Sequence, residues 1–319
     1  MDYGFNLPTR GPMANPADIV AIAKRGEELG FAYFAIPDHI VIPNDIGSRY
    51  PYSQSGAFPG SDSGECLEQL TVMAYVAAAT KRARLLTSVM VVPHRNPVHT
   101  AKILATIDVL SGGRVTVGCG TGWMEEEFVA IGTPPFKERG RATDEYLAVF
   151  RELWTSDDPK FDGDYAKFSD ITFLPKPVQR PHPPLWIGGE SGPALRRAAK
   201  YGDFWYPIGS NPMHPLNTPE RYTAAVAKLR DLAESGDRDP ASIGLAYWAN
   251  WYMEDKTITL DDGGRHLFTG NAEQVAGDIR TLRDMGVQHL LFNFQRADLQ
   301  QTMASMERFA AEVLPLAGD

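Results

Sequence analysis

The pair Asp38-His39 is the first place where the chain offers acid–base chemistry. It follows a short apolar run, residues 33–36, which predicts a β-strand. An imidazole changes its charge near neutral pH, so His39 can donate or accept a proton or hydrogen-bond the ring of a cofactor. An isolated histidine is usually structural, but a histidine at the carboxyl end of a barrel strand is more often functional. We therefore take His39, with Asp38, as the candidate catalytic residues.

Two glycine-rich segments also follow predicted strands. Residues 118–123 read Gly-Cys-Gly-Thr-Gly-Trp, and residues 188–192 read Gly-Gly-Glu-Ser-Gly. Glycine lets the backbone approach a flat or phosphorylated ligand, and its N–H groups then serve as anion donors. The second segment runs into a predicted helix, whose N-terminal N–H groups and dipole suit a phosphate. Each segment alone could simply make a tight turn between strand and helix, but two at the same face favour ligand binding.

Acidic and aromatic side chains lie near the same predicted ends. Glu125, Glu126 and Glu127 are most simply read as the first turn of a helix, where the helix dipole favours acidic residues. Aromatic side chains are dense there and would line or support an apolar cavity that suits a flat heteroaromatic cofactor. They are Trp123, Trp205, Tyr206, Tyr247, Trp248, Trp251 and Phe294.

Three other chemistries are disfavoured. No predicted strand contains a lysine that could form a Schiff base. His39, His94, His182 and Glu190 lack the spacing of metal ligands, so we expect no metal site. No Gly-x-Ser-x-Gly string marks a serine nucleophile.

Eight strand–helix units position these residues. In the first unit, residues 3–7 predict a strand, Asn15 is a good N-cap, and Pro16 occupies the first helical position. The other strands are expected at 33–36, 85–92, 115–118, 185–187, 204–206, 245–251 and 289–294. The other helices are expected at 65–80, 97–110, 139–154, 193–201, 219–234, 272–285 and 299–314.

Strict alternation of strands and helices implies a parallel α/β sheet, and eight units favour a closed (β/α)₈ barrel over an open doubly wound sheet. We expect one domain over residues 1–319. Two insertions interrupt the pattern. Residues 41–64, after strand 2, are a candidate lid at the catalytic face, and residues 155–184, before strand 5, predict a hairpin that turns at 161–165. In the helix at 65–80 we expect Leu67, Leu70, Ala74 and Ala78 to point inward.

The composition excludes several classes of protein. The chain has 31 basic and 40 acidic residues and a formal net charge of −9, which argues against a surface for nucleic acid or an anionic membrane. There is no run of 18 apolar residues and no pattern of a signal peptide. Two lone thiols, Cys66 and Cys119, suit a reducing compartment, so we expect a cytoplasmic protein.

Several strings point to a family. The most specific are Leu-Ser-Gly-Gly-Arg at 110–114 and Gly-Thr-Gly-Trp at 120–123. The other matching strings are Pro37-Asp38-His39, residues 87–90, His94-Arg95-Asn96-Pro97, Ala101-Lys102, residues 106–109, Glu127-Phe128, and residues 173–177 and 184–189. With these strings the chain resembles the bacterial luciferase-like monooxygenase superfamily, and within it the F420-dependent oxidoreductase branch.

The resemblance implies a TIM barrel, commonly a homodimer, with the cofactor ring over the carboxyl ends of the strands. It implies a non-proline cis peptide at Ser88–Val89 behind the ring, and contact of the ring with His39 and Asp38. The implied cofactor-binding residues are Ser88, Val89, Gly120, Thr121 and Gly122 and, near the phosphate, Gly188, Gly189, Glu190 and Ser191. Sugar-phosphate dehydrogenases of this branch carry a glutamate where this chain has Trp123, which favours an apolar small-molecule substrate.

The leading hypothesis is a hydride-transfer oxidoreductase that uses F420. The close alternative is a monooxygenase that uses reduced FMN and oxygen on the same fold. F420 has the longer acidic tail, so basic residues expected at the mouth of the barrel favour it: Arg95, Lys137, Arg139 and Arg141. A non-catalytic flavin carrier and a phosphate-handling isomerase are further options, and the aromatic lining disfavours the isomerase.

Overall fold

A computed structural model describes residues 1–59 and 64–318. The strands are β1 (Asp2–Asn6), β2 (Tyr33–Ile36), β3 (Arg84–Thr87), β4 (Met90–Val91), β5 (Val115–Gly120), β6 (Phe161–Asp162), β7 (Lys167–Phe168), β8 (Leu185–Gly188), β9 (Phe204–Tyr206), β10 (Gly244–Ala249), β11 (Met253–Glu254), β12 (Thr269–Gly270) and β13 (Val287–Phe292). The helices are α1 (Pro16–Glu28), α2 (Gln69–Ala79), α3 (Pro97–Ser111), α4 (Glu125–Ile131), α5 (Arg139–Thr155), α6 (Gly192–Tyr201), α7 (Pro219–Glu234), α8 (Ala272–Asp284), α9 (Leu299–Arg308) and α10 (Leu314–Ala317).

The large sheet closes on itself. Its strands follow the order β3-β2-β1-β13-β10-β9-β8-β5-β4, and a further pairing of β3 with β5 joins the two ends. Leu85 lies opposite Val115 at this closing seam, and every neighbouring pair in the sheet is parallel. The prediction of a closed (β/α)₈ barrel is therefore confirmed, and the open doubly wound sheet is excluded.

The third barrel strand is not the continuous run expected over residues 85–92. It is divided into β3 and β4, and the peptide bond between Ser88 and Val89 is cis, as the family resemblance implied. A Cβ atom at Gly118 of β5 would overlap the carbonyl oxygen of Thr87 at the end of β3. The closing seam therefore needs glycine at this position, because only hydrogen leaves room for the facing backbone.

The two insertions differ in structure. The second contains the predicted antiparallel hairpin, in which Phe161 lies opposite Phe168, but its turn spans residues 163–166 rather than 161–165, because Phe161 and Asp162 form β6. The first makes a long loop, of which residues 60–63 lie outside the described part of the chain. It continues beyond residue 64, because α2 begins at Gln69 rather than at residue 65, and the Glu68 side chain caps it by accepting from the Thr71 N–H.

The helices cover the barrel with their apolar faces, and one predicted face was wrong. In α1 the buried residues are Ile19, Ile22, Ala23 and Gly26. In α2 Leu70 is buried, as predicted, together with Met73 and Val76, but Ala74 and Ala78 are exposed, and so is Leu67, which precedes the helix. The α2 sequence is apolar around its whole circumference, so periodicity could not tell its inner face from its outer one. Within residues 1–59 and 64–318, no helix has the length and apolar character needed to cross a membrane.

The last expected helix, over residues 299–314, is also interrupted. Its chain runs from α9 through a π-helical turn at Phe309–Val313 and then into α10. Phe309 and Val313 are buried in this turn, so the wider helical turn keeps both side chains against the barrel.

Candidate active site

A cavity of about 740 Å³ lies at the carboxyl ends of the barrel strands. All eleven candidate residues that the sequence identified line it, although they come from four separate parts of the chain. They are Asp38, His39, Ser88, Val89, Gly120, Thr121, Gly122, Gly188, Gly189, Glu190 and Ser191. The volume is in the range of small-molecule and cofactor sites.

Val89 forms an apolar floor between two glycines. A Cβ atom at Gly120 would come within 2.6 Å of Val89 Cγ2, and a Cβ atom at Gly188 within 3.1 Å of Val89 Cγ1. Both distances are shorter than the ~3.5–4.0 Å of an ordinary contact between carbon atoms. Glycine at these two strand ends therefore gives Val89 its room and leaves a flat surface, and we name Val89, Gly120 and Gly188 the Val89 floor.

A hydroxyl pair and an indole border this floor. Ser88 Oγ lies 3.0 Å from the hydroxyl of Tyr206, and burial raises the pKa of Tyr206, although the hydrogen bond to Ser88 opposes this. The Trp248 ring lies parallel to Tyr206, with 6.3 Å between ring centroids. Its indole N–H is buried and has no hydrogen-bond partner among the described residues.

His39 is held by a buried carboxylate. His39 Nδ1 lies 2.8 Å from Glu127 Oε2, while Glu127 Oε1 accepts from the N–H groups of Ile40 at 2.7 Å and Val41 at 3.3 Å. Burial acts to raise the pKa of Glu127, but the hydrogen bond from His39 and the nearby imidazoles lower it on balance. An ionised carboxylate only accepts hydrogen bonds, so His39 carries its proton on Nδ1 and presents Nε2 to other partners.

A second imidazole, His94, lies beyond this pair. His94 Nδ1 is 3.9 Å from Glu127 Oε1, which is too long for a hydrogen bond. Burial lowers the pKa of His94 to about 4, against the attraction of Glu127 and Asp38, so the ring is neutral at pH 7 and makes no ion pair. Neither of its nitrogens has a partner among the described residues.

Glu127 is the functional residue that the sequence analysis missed. The three consecutive glutamates do form the first turn of α4, as predicted, but Glu127 has an exposed fraction of 1% and a role beyond the helix terminus. A signal was present in the spacing. Met124, Glu127, Phe128 and Ile131 stand at positions i, i+3, i+4 and i+7, so Glu127 shares the apolar face of α4.

Asp38 has a different environment from His39. Its carboxylate accepts two hydrogen bonds of 2.8 Å from Arg95, and one of 2.9 Å from the Val91 N–H. Arg95 also contacts Glu68, the cap of α2. The Asp38 side chain has no exposed surface, so its oxygens join β2, β4 and α2 and thereby position the neighbouring His39.

The turn at residues 188–191 leads into α6 as predicted. Ser191 is the N-cap and accepts from the Ala194 N–H, so the helix N-terminus faces the cavity. Gly189 has a φ of +96°, which favours glycine. Glu190 differs from the other residues of the turn, because its side chain is buried against the segment that follows β9.

Four cations line the cavity without a carboxylate partner among the described residues: Arg10, Arg49, Lys137 and Arg139. Arg139 donates to the carbonyl oxygen of Gly122 at 3.2 Å and stacks on Phe136. The other two predicted cations differ. Arg95 is paired with Asp38 and Glu68, and Arg141 pairs with Asp164 on the exposed surface and does not line the cavity.

The first insertion adds aromatic side chains to the wall. The ring centroid of Phe58 lies 5.0 Å from that of His39 and 5.3 Å from that of Trp123, and the ring centroid of Tyr50 lies 5.2 Å from that of Trp123. Of the predicted aromatic set, Trp123, Tyr206 and Trp248 line the cavity. Trp205, Tyr247 and Phe294 are core residues, and Trp251 is partly exposed.

Comparison with known proteins identifies the family of this chain. The sequence profile of the luciferase-like monooxygenase family matches residues 1–257. An uncharacterized protein of Mycobacterium tuberculosis is 37% identical over 316 residues, which cover 98% of this chain and 99% of the relative. The FMNH(2)-dependent dimethylsulfone monooxygenase of Pseudomonas putida is 28% identical over 314 residues, which cover 85% of this chain and 84% of that enzyme.

A solved structure shows the same fold. An F420-dependent secondary alcohol dehydrogenase, in complex with an F420-acetone adduct, superposes with a TM-score of 0.75 at 21% identity, over 100% of this chain and 99% of that one. The relatives and structural neighbours of this chain therefore include F420-dependent and FMNH(2)-dependent enzymes. By its sequence match over residues 1–257 and its closed parallel barrel, this chain belongs to the luciferase-like monooxygenase family.

Proposed function

We propose that this protein is an oxidoreductase that transfers a hydride between coenzyme F420 and an apolar organic substrate. The observation that carries the proposal is that one cavity combines the His39–Glu127 pair, the Val89 floor and cations without carboxylate partners. A flat ring needs an apolar surface on which to lie, and an acidic tail needs positive charge at the mouth.

The residues fit such a cofactor. The Val89 floor would support the ring, Thr121 and Gly122 would lie along it, and the turn at residues 188–191 would receive the phosphate through its N–H groups. When bound, F420 supplies the two-electron chemistry. The protein's part is to present Nε2 of His39, whose tautomer Glu127 sets, beside the ring and to exclude water with the aromatic wall.

The charge of the wall favours F420 over FMN. Arg139 donates to the carbonyl oxygen of Gly122, and Lys137 lines the same cavity as the turn at residues 188–191, where a phosphate and an acidic tail would leave the barrel. The whole chain carries a net charge of −9, so these uncompensated cations are a local exception. A cofactor with several carboxylates gains more from them than a cofactor with one phosphate.

The second candidate is a monooxygenase that uses reduced FMN and oxygen. The observation that favours it is the 28% identity with the FMNH(2)-dependent dimethylsulfone monooxygenase over 85% of this chain. The Val89 floor suits an isoalloxazine ring as well as a deazaflavin ring.

Cofactor titration tests the proposal. F420 and FMN are each added to purified protein, and quenching of fluorescence gives both dissociation constants. We expect F420 to bind more tightly, and the difference to shrink at high salt because the cations are screened. Tight binding of FMN alone would show that the F420 proposal is wrong.

We also propose that the protein acts as a homodimer. The outer surfaces of α2 and α3 support this, because Tyr75, Val109 and Leu110 are exposed there and α2 contains no charged residue. Large exposed apolar side chains on neighbouring helices are typical of protein interfaces. Light scattering that gives one chain per particle at micromolar concentration would contradict this.

A further inference from the structure

Glu190 is a buried carboxyl group on the wall of the cavity. Its exposed fraction is 7%, Oε1 accepts from the Ile208 N–H at 2.7 Å, and Oε2 accepts from the Asn211 side chain at 2.7 Å. Ile208 and Asn211 belong to the segment after β9 and also line the cavity. Each carboxyl oxygen therefore has one protein partner and can take a second from a ligand.

No cation pairs with this carboxyl group in the described part of the chain. The titratable groups on which its charge acts are two hydroxyls, Tyr52 from the first insertion and Tyr247 from β10, and burial raises the pKa of both, so both are protonated. Burial raises the pKa of Glu190 to about 7, although the N–H donors of Ile208 and Asn211 lower it in part. Both protonation states are therefore accessible near neutral pH.

This environment does not fit the predicted role beside a cofactor phosphate. An ionised carboxylate would repel a phosphate, and the Glu190 side chain is directed to the segment after β9 rather than along the turn that leads into α6. It is also separate from the proton that His39 holds, because the carboxylate that serves His39 is Glu127.

The proposed function leaves a task for such a group. Removing a hydride from a carbon atom that bears a hydroxyl group also releases the hydroxyl proton. The C–H bond breaks with its electron pair, which goes to F420, and the O–H bond breaks as the carbonyl forms. A base in the cavity must take this proton, and the same group returns it in the reverse direction.

We propose that Glu190 exchanges this proton with the substrate, and that the substrate carries a hydroxyl or carbonyl oxygen on the carbon that loses or gains the hydride. This inference rests on the proposed function. In the protonated state Glu190 donates a hydrogen bond to a carbonyl oxygen, and in the ionised state it accepts one from a hydroxyl group. The aromatic wall accommodates the apolar remainder of the substrate.

A binding experiment on the cofactor-free protein tests the inference without turnover. Acetophenone is the carbonyl probe, ethylbenzene is its apolar analogue, and calorimetry gives each dissociation constant at pH 6 and pH 8. If only the protonated carboxyl group donates to the carbonyl, the dissociation constant of acetophenone rises about tenfold between these pH values. Ethylbenzene should bind with the same affinity at both.

Three variants complete the test. In Glu190→Gln an amide N–H replaces the carboxyl proton at every pH, so the dependence on pH should vanish while binding persists. Asn211→Ala keeps the carboxyl group but removes one donor to its ionised form, so the pH at which acetophenone affinity changes should rise. This variant provides the test if Glu190→Gln does not fold. His214→Gln, the control, removes another titratable side chain of the cavity wall and should leave the dependence unchanged.

The outcomes separate the two proposals. Equal acetophenone affinity at pH 6 and pH 8 in the native protein, or no binding of acetophenone at all, would overturn the assignment of Glu190 and of the substrate class. A dependence on pH that survives in Glu190→Gln would overturn it as well. Failure of F420 to bind would refute the proposed function, yet the acetophenone titration would still report on Glu190.

Discussion

Replacing Glu127 should separate the orientation of His39 from the stability of the fold. In Glu127→Gln the amide oxygen can still accept from the N–H groups of Ile40 and Val41, but the amide N–H₂ faces His39 Nδ1. His39 must then accept at Nδ1 and carry its proton on Nε2, which is the opposite tautomer. Since correctly placed general acids and bases contribute about 10²–10⁴-fold, we expect the rate of the chemical step to fall by about 10²-fold or more.

The same position predicts a different result for Glu127→Ala. Two backbone N–H groups and one imidazole lose their acceptor in a site where Glu127 is 1% exposed. Each unsatisfied buried polar group costs roughly 1–3 kcal/mol, and the cost for the Val41 N–H lies at the low end of this range because its hydrogen bond is long, at 3.3 Å. For the three groups together we expect a loss of about 3–5 kcal/mol in the free energy of unfolding. The glutamine variant should lose only about 1 kcal/mol.

Urea denaturation measures the stability of both variants, and fluorescence titration measures cofactor affinity. Single-turnover kinetics measures the chemical step. The control is Glu126→Gln, because Glu126 accepts from the N–H groups of Gly47 and Ser48 but does not contact His39. A Glu127→Gln variant that reacts as fast as the native protein would refute the role of the tautomer. A loss of cofactor affinity without a loss of rate would assign Glu127 to binding alone.

Three further predictions concern other parts of the molecule. The pKa of Glu190 is about 7 in the fold against an ordinary value of 4.5. Its contribution to the free energy of unfolding is therefore complete below about pH 4.5 and is lost as the pH rises through 7, and this loss is about 3 kcal/mol. Thermal unfolding should show Glu190→Gln gaining stability relative to the native protein between pH 5 and pH 8. If the difference in stability between Glu190→Gln and the native protein were the same at every pH, the raised pKa of the buried Glu190 carboxyl group would be contradicted. Gly118→Ala should lower the free energy of unfolding by about 3 kcal/mol or more, because its methyl group overlaps the Thr87 carbonyl oxygen at the closing seam. Native-like stability in urea would show that the backbone at the seam can shift to accommodate the methyl group. Arg139→Ala should raise the dissociation constant of F420 by about tenfold, whereas Arg141→Ala, which lies outside the cavity, should leave it unchanged. Equal effects of the two substitutions on the dissociation constant would mean that only the overall charge of the protein matters.

Local signals predicted the elements of the fold well. Asn15 caps α1 and Pro16 begins it, as their residue types indicate, and the eight strand–helix units are all present. Because parallel strands of a barrel all end at one face, finding the strand ends located nine of the eleven candidate residues that line the cavity, whereas Ser88 and Val89 came from the family resemblance. The prediction failed in α2, whose apolar residues surround the helix and have no period to read.

Residue types and their order along the chain were enough to determine the barrel, the edge at which the cavity lies, and the pair Asp38-His39 as candidates for chemistry. Only the tertiary structure decided which partner each of the titratable side chains has. Asp38 is paired with Arg95, His39 with Glu127 from 88 residues further on, and Glu190 is buried without a cation. The physical reason is that the charge and hydrogen bonding of a side chain depend on groups brought near it by folding, and the distance along the chain does not encode that proximity.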